Sequence, residues 1–497
     1  MTSRPAASPP AWLVAAIAVL LSGCIGTGGV RPRSTVLDAS RLDPGAALTG
    51  APADGMWPAT DWWTRWHDPQ LDQLVKRAIA EQPSLRLAQA RLDQAQAQAR
   101  VAGAADLPQV GVAADLGRER YPRYATPSPP GGYTVWSNHV GATLSYDLDF
   151  WGRNQAELQG ALDVVHASTV ESHGVRLALE TAVVRAYIEL SLQYDLLDAE
   201  TVIAEQSRQT RSIVAQRAAA GLASRLELSQ ADAQAAIEAS QLEQTRRQIA
   251  LAGHTLAALS GQGPGAGDAM TRPRLALDVP VALPTRLPAE LIGRRPDIVA
   301  QRWRVEAASQ GIAAAHAAFY PNIDLVATAG LTSATPFGGF FNFLNSDAIG
   351  HRVGAALSLP LFDGGRLQGQ YGEAVAGYDA AVESYNQSVI LAMQQVADQV
   401  VSLQSLAAQQ QQAEQAVAAA TSAHELAVQG YRSGVTEFLN VIATESTLLR
   451  NRQQLAAIQA RRLDSWALLM QALGGGLEND AEVAPQTTHA EGDRHAP

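Results

Sequence analysis

Tyr431-Arg432-Ser433-Gly434-Val435-Thr436-Glu437-Phe438-Leu439 interrupts a long Ala- and Gln-rich helical pattern. A counterpart stands at Arg217-Ala218-Ala219-Ala220-Gly221-Leu222-Ala223-Ser224-Arg225-Leu226, and the two glycines lie 213 positions apart, 434 minus 221. A glycine just past a helix supplies the positive φ that a tight reversal needs, so both stretches read as tips of long helical hairpins. The offset recurs. Pro83 and Pro108 match Pro296 and Pro321, Gly152-Arg153 matches Gly365-Arg366, and Gln216, Gly221 and Leu226 match Gln429, Gly434 and Leu439. Gly141-Ala-Thr-Leu-Ser-Tyr-Asp-Leu148 likewise matches Gly354-Ala-Ala-Leu-Ser-Leu-Pro-Leu361. One offset held through helices, strands and turns marks an internal duplication.

The repeat unit reads helix, two strands, long helix, turn, returning helix. Residues 68–260 form the first copy, with strands near 109–120 and 133–150, a long helix over 155–220, a turn at 221–224 and a helix to 260. Residues 288–473 form the second, with strands near 321–331 and 349–363, a long helix over 367–433, a turn at Gly434 and a helix to 473. Between them, 261–287 carries Pro264, Pro273, Pro280 and Pro284, which forbid a long helix, and reads as an extended crossover. A straight helix over 155–220 would reach roughly 100 Å, far beyond what a compact globule needs. Val183, Tyr187, Leu190, Tyr194 and Leu197 step by four, three, four and three, a seam for helix-to-helix packing repeated by Val396, Val400 and Leu403. From Gly474-Gly475-Gly476 to Pro497 the chain is polar and reads as a disordered tail.

Between the helices the hydrophobic period changes to two. Val140, Ala142, Leu144, Tyr146 and Leu148 fall on one face, with His139, Gly141, Thr143, Ser145 and Asp147 on the other; Val110, Val112, Ala114 and Leu116 alternate likewise. This matches the per-strand signature of an outer-membrane barrel, and a soluble half-buried hairpin would alternate in the same way. The connection between the second pair of strands holds Phe337, Phe340, Phe341 and Phe343, either a membrane-interface girdle or a plug folded into the mouth.

Composition narrows the class. Aromatic residues are 6% and charged residues 17% of the chain, which suits extended helices with small side chains rather than several compact domains. A formal charge of -11, with no basic cluster, argues against a nucleic-acid partner. The single cysteine excludes an intramolecular disulfide and any cysteine-rich zinc site. Its position explains it: Arg4 precedes an apolar run from Ala11 to Leu21 that ends in Leu21-Ser22-Gly23-Cys24. The run is too short to span a bilayer and reads, over residues 1–23, as a secretory signal. Leu-Ser-Gly-Cys resembles the bacterial lipobox, so Cys24 is expected to carry an S-diacylglycerol and an N-palmitoyl group, the alternative being an ordinary signal peptide. Ile25 in place of Asp favours sorting to the outer membrane. Residues 24–67 then read as an extended segment, with Trp57, Trp62, Trp63 and Trp66 either packing it down or stacking on carbohydrate.

Four membrane-length strands cannot close a barrel, since single-chain barrels begin at eight strands. Several chains must therefore share one, three giving twelve strands and two giving eight. The duplicated unit, the lipobox, the Tyr431-Arg-Ser-Gly434 turn and Leu359-Pro-Leu-Phe-Asp-Gly-Gly-Arg366 together resemble the TolC-like outer-membrane efflux proteins, in the lipoprotein branch that serves resistance-nodulation-division pumps. The resemblance implies a mainly α fold with a small β membrane part. It implies a homotrimer whose twelve-stranded barrel in the outer-membrane lipid continues into a periplasmic α-helical barrel. It also implies a passive exit duct for small molecules, docked to a periplasmic adaptor and an inner-membrane pump of that type. Gating in such a protein is a population shift biased by its partners.

From the same resemblance Tyr431 and Glu227 become gate residues, against the plainer reading of a packing tyrosine and a solvated helix charge. Gly221, Leu222, Ser224, Arg432, Gly434, Val435 and Thr436 become adaptor-docking residues at the turns. Some family members place an acidic ring six and nine positions after the second glycine; here those positions hold Asn440 and Ala443, leaving Glu227 or Asp232 as substitutes. Two rivals remain, a channel for type I protein secretion and a non-conducting coiled-coil lipoprotein. No enzyme signature is present: His166 and His173 have helical spacing but no ligand set beside them and read as helix-surface residues, and no phosphate loop or nucleophile elbow occurs.

Overall fold

The computed structural model describes residues 27–43, 45–49, 57–124, 131–276, 293–335 and 338–477. Cys24 and the whole signal, Phe337, Pro280, Pro284 and the chain after Leu477 lie outside the described residues.

The main elements in order are α1 (Pro69–Glu81), α2 (Pro83–Gly103), β1 (Gln109–Arg120), β2 (Thr134–Asp147), α3 (Arg153–Ala219), α4 (Arg225–Leu259), α5 (Pro296–Ala317), β3 (Asn322–Thr335), β4 (Ile349–Ser358), α6 (Arg366–Arg432) and α7 (Phe438–Ala472). The duplication is exact in length where packing demands it: α3 and α6 both have 67 residues, and α4 and α7 both have 35. Local chemistry sets the boundaries. Asp68 caps α1 by accepting from the N–H groups of Gln70 and Leu71, with Pro69 at the first helical position. Asp363 of the Leu-Phe-Asp-Gly-Gly-Arg segment accepts from the N–H of Gly365 and Leu367, each at 3.0 Å, and so starts α6.

Two compact units divide the chain. One comprises residues 1–36, 91–168 and 301–385, and the other residues 37–90, 169–300 and 386–497. The first holds a four-stranded antiparallel sheet in the order β1-β2-β3-β4. In it His166 stacks on Trp303 with centroids 4.5 Å apart, so it is a packed side chain rather than a free surface one.

The second unit is a helical bundle. Most of its seam is buried, namely Val183, Tyr187 and Leu190 with their counterparts Val396, Val400 and Leu403, whereas Tyr194 and Leu197 are half-buried. Tyr187 donates to Asp68 at 2.8 Å, and burial pushes the phenol pKa well above its ordinary range. Trp62, Trp63 and Trp66 are buried, and Trp62 and Trp66 lie 5.9 and 5.2 Å from Trp466, so the tryptophan cluster packs and is closed to carbohydrate. The indole N–H groups of Trp62 and Trp63 find no partner, contrary to the expectation that buried indoles are satisfied.

Several boundaries differ from expectation. β2 stops at Asp147 rather than 150, because Asp149 takes a left-handed φ of 39° and its N–H turns back to the Asp147 carboxylate. β4 ends at Ser358 rather than 363, just before Leu359-Pro360, where proline has no N–H for the ladder. β3 runs on to Thr335, because Thr332 to Thr335 pair with His139 to Trp136. The expected tail begins too early. Gly474, Gly475 and Gly476 are left-handed at φ 92°, 59° and 88°, and added Cβ atoms would lie 2.0 Å from Leu177 at Gly475 and 2.1 Å from the Arg294 carbonyl at Gly474. Three glycines stand there because no larger residue fits the turn or the gap.

Candidate functional site

The sheet presents two unlike faces. Its register aligns Val110, Leu144, Ala327 and Val353 in one row, and Ala114, Val140, Leu331 and Ile349 in another. Side chains alternate along a strand, so these rows share a face. Apart from His351, which stands in the row of Val112, Ala142 and Ala329, that face is apolar, and it is uncovered, with Val112 at 77% and Val353 at 81% exposure. The reverse face carries Thr143, Thr328 and Arg352 in one row and Asp115, His139 and Thr332 in another. Aromatics flank the apolar rows: Trp136 meets Phe340 at 5.1 Å beyond one end, and Trp151 stacks on Tyr320 at 4.6 Å beyond the other, beside exposed Phe150 and Phe362. An apolar band between aromatic girdles is the outer surface of a membrane barrel. β1 and β4 each keep an edge unpaired within the chain, which hydrocarbon does not tolerate.

The phenylalanine loop is a girdle element, not a plug. Asn138, on the same face as Val140, donates to the Phe340 carbonyl at 2.7 Å, which straps the turn Phe340–Leu344 onto the apolar side of the sheet.

In the helical unit both turns close alike. Gly221 has φ 70° and Leu222 N–H donates to the Arg217 carbonyl at 2.8 Å; Gly434 has φ 75° and Val435 N–H donates to the Gly430 carbonyl at 2.8 Å. These bonds satisfy the last carbonyls of α3 and α6. Leu222 and Val435, equivalent under the duplication, are 69% and 80% exposed. Arg432 and both turn glycines are also exposed. Ser224 has a structural task instead: its Oγ accepts from the Glu227 N–H at 3.2 Å and caps α4. Thr436 likewise donates to the Ala427 carbonyl at 3.3 Å.

Tyr431 and Glu227 are brought together. The phenol donates to Glu227 Oε2 at 3.4 Å, and the Arg217 guanidinium lies 4.9 Å over the Tyr431 ring while donating to its carbonyl at 3.3 Å. Tyr431 is only 4% exposed, in a cluster with Val214, Ala231, Phe438 and Val441. Burial and then the Glu227 charge push the phenol pKa up, and Arg217 works against them. Asp232 forms an ion pair with Arg211 and so offers no free negative charge.

Further along the same bundle lies a layer of buried acids, Glu200, Glu238 and Glu445. Gln241 and Gln453 donate to Glu200 at 3.3 and 3.2 Å, and Gln234 donates to Glu238 at 2.6 Å. Glu445 Oε1 has no partner. Burial, then the negative charge of Glu238, push the Glu445 carboxyl up to about 7. Among the described residues no group of His, Cys, Asp and Glu could hold a metal ion, and no helix is long and apolar enough to cross a membrane.

The family model described as "Outer membrane efflux protein" matches this chain twice, over residues 74–262 and 287–475, so the duplication seen in the residues is the family's own. The chain belongs to the outer membrane efflux protein family. It is similar to the fusaric acid resistance protein FusA of Burkholderia cepacia, 44% identical over 367 residues that cover 73% of this chain and 69% of the relative. It is 30% identical to the multidrug resistance outer membrane protein MdtP of Escherichia coli strain K12, over 86% of this chain and 88% of the relative. Among solved structures it is similar to the outer membrane protein VceC from Vibrio cholerae, with a TM-score of 0.79 and 36% identity over 85% of this chain and all of that one. The Campylobacter jejuni CmeC outer membrane channel shares the fold, with a TM-score of 0.82 at 20% identity. The protein is thus an outer-membrane efflux channel that extends into the periplasm.

In this efflux channel the sequence reading missed the buried acids, and it matched Leu226 with Leu439 without counting them among the docking residues. The two leucines, four positions after Leu222 and Val435, are 67% and 61% exposed. The acids had a signal: Ala231, Glu238 and Thr245 step by seven through the buried face of α4, so a glutamate occupies a core position.

Proposed function

We propose that three copies of the chain close one barrel, each supplying four strands: open edges are not tolerated in lipid, so several chains must join, and of the eight strands of a dimer and the twelve of a trimer the family resemblance favours twelve. Cys24 carries the S-diacylglycerol and N-palmitoyl groups that anchor the mature chain. The helix turns form the periplasmic entrance. A periplasmic adaptor docks on their exposed apolar residues, Leu222 and Val435 first, and couples the channel to an inner-membrane pump of the resistance-nodulation-division type.

At rest the entrance is held closed by Tyr431, Glu227 and Arg217. The contact between Tyr431 and Glu227 carries this reading, because it ties the turn of one repeat to the first turn of helix after the other. A bond of that kind is lost when the hairpins splay. The cargo is small toxic compounds, in keeping with the names of the relatives, which refer to fusaric acid and multidrug resistance.

Cross-linking of the purified protein in detergent tests the assembly: a trimer band is expected, and a limit at dimer refutes it. Deleting the gene in its host should raise sensitivity to fusaric acid or to drugs, with rescue by the wild-type chain. Unchanged sensitivity to all of them would refute the cargo assignment.

A further inference from the structure

We propose that the outward end of the sheet binds phosphorylated lipid headgroups of the outer leaflet, with Arg118 and Arg120 as the anion ligands above an aromatic shelf of Trp136, Phe340 and Phe341. The inference rests on the apolar face meeting the bilayer, with the helices in the periplasm. The ends of β1 and β3 that lead into the β1–β2 and β3–β4 connections then point outward.

Register fixes the depth. The last wholly apolar row is Ala114, Val140, Leu331 and Ile349; the next row outward holds Leu116, Asn138 and Ser333, and the one after it Arg118, Trp136 and Thr335. Successive rows on one face are about 6.7 Å apart along a strand. Asn138 and Ser333 are nine-tenths or more buried beneath the Phe340–Leu344 strap, and Asn138 Oδ1 and Ser333 Oγ have no partner. The strap covers this row with protein, so hydrocarbon meets this face only on the inward side of it, and the next rows outward lie beyond the apolar band. Arg118 and Arg120 therefore stand at headgroup level.

Their surroundings fit an anionic amphiphile. Both arginines are exposed on the apolar face, and among the described residues neither has a carboxylate at ion-pair distance. The Arg118 guanidinium sits 5.9 Å over the Trp136 ring, Trp136 meets Phe340 at 5.1 Å and Phe340 meets Phe341 at 5.0 Å. Phe341 is 70% exposed, open to an acyl chain. Guanidinium groups bind phosphate in a bidentate manner, while the indole and phenyl rings take the interfacial part of the lipid.

The test is native mass spectrometry of the full-length protein with bisphosphorylated lipid A or its dephosphorylated form. The wild type should retain the phosphorylated lipid at least tenfold better, and Arg118→Gln with Arg120→Gln should abolish that preference. Arg120→Gln alone, which leaves Arg118 on Trp136, should weaken it, and both variants should still float with vesicles. Equal retention of the two lipids, or an unchanged preference in the double variant, overturns the proposal. So does full displacement by millimolar inorganic phosphate, which would reassign the site to the free anion.

Discussion

Tyr431 belongs to the second repeat and Glu227 to the first, yet the phenol of one donates to the carboxylate of the other at 3.4 Å. The two side chains share this one hydrogen bond, beside the Arg217 contacts and the apolar cluster around Tyr431, so removing either partner removes the same bond. A long hydrogen bond to a charged acceptor is worth about 1 kcal/mol. Tyr431→Phe and Glu227→Gln should each raise the open probability about fivefold in planar bilayers. Because both remove the same contact, the double variant should open no more than either single one; additive effects would place the residues in separate constraints.

Glu445 makes the bundle sensitive to pH. Its folded-state pKa, about 7, lies above the ordinary carboxyl value of 4.5. Below 4.5 the group is protonated in both states and costs nothing. As pH rises from there toward 7 the unfolded chain releases this proton while the folded state, with the carboxyl buried beside Glu238, retains it, so stability falls by up to about 3 kcal/mol per chain and levels off above 7. Thermal melting should show the wild type losing stability between pH 5 and 8 relative to Glu445→Gln. Parallel curves for the two proteins would rule the effect out.

The glycine triplet should resist substitution. An alanine at Gly475 needs a left-handed φ and meets Leu177 at 2.0 Å, so Gly475→Ala should cost about 2–4 kcal/mol in stability by combining strain with overpacking. Chemical denaturation of the variant and the wild type checks this, and equal stabilities would mean that the turn is not anchored.

The turn surface should act on docking alone. Leu222→Asp with Val435→Asp places charges on exposed apolar positions, and the carbonyl-closed turns beneath them do not depend on those side chains. Cross-linking to the adaptor should fall at least tenfold, with channel conductance and thermal stability unchanged. Retained cross-linking would move the adaptor elsewhere on the bundle.

The architecture was legible because duplication writes each element twice. Gly221 and Gly434, or Val183 and Val396, gain meaning from their common offset, and period-two alternation located the strands. Local chemistry that depends on one atom was less visible: the left-handed Asp149 that ends β2, and the packing that orders Gly474 to Gly476. Composition made the glycine run look like a tail, whereas tertiary crowding makes it a turn. The acids escaped notice for a similar reason. Asp232 and Glu445 are equivalent in the repeats, but the first is paired with Arg211 at the surface and the second is buried without a partner at Oε1, a contrast created by the helices packed around each.

Single-channel recording from purified protein in planar bilayers tests the central claim most directly. The wild type should insert with little current, and Tyr431→Ala with Glu227→Ala should pass a large, stable one. Absence of current from the double variant, in protein shown to have inserted, would contradict an efflux duct gated at Tyr431 and Glu227.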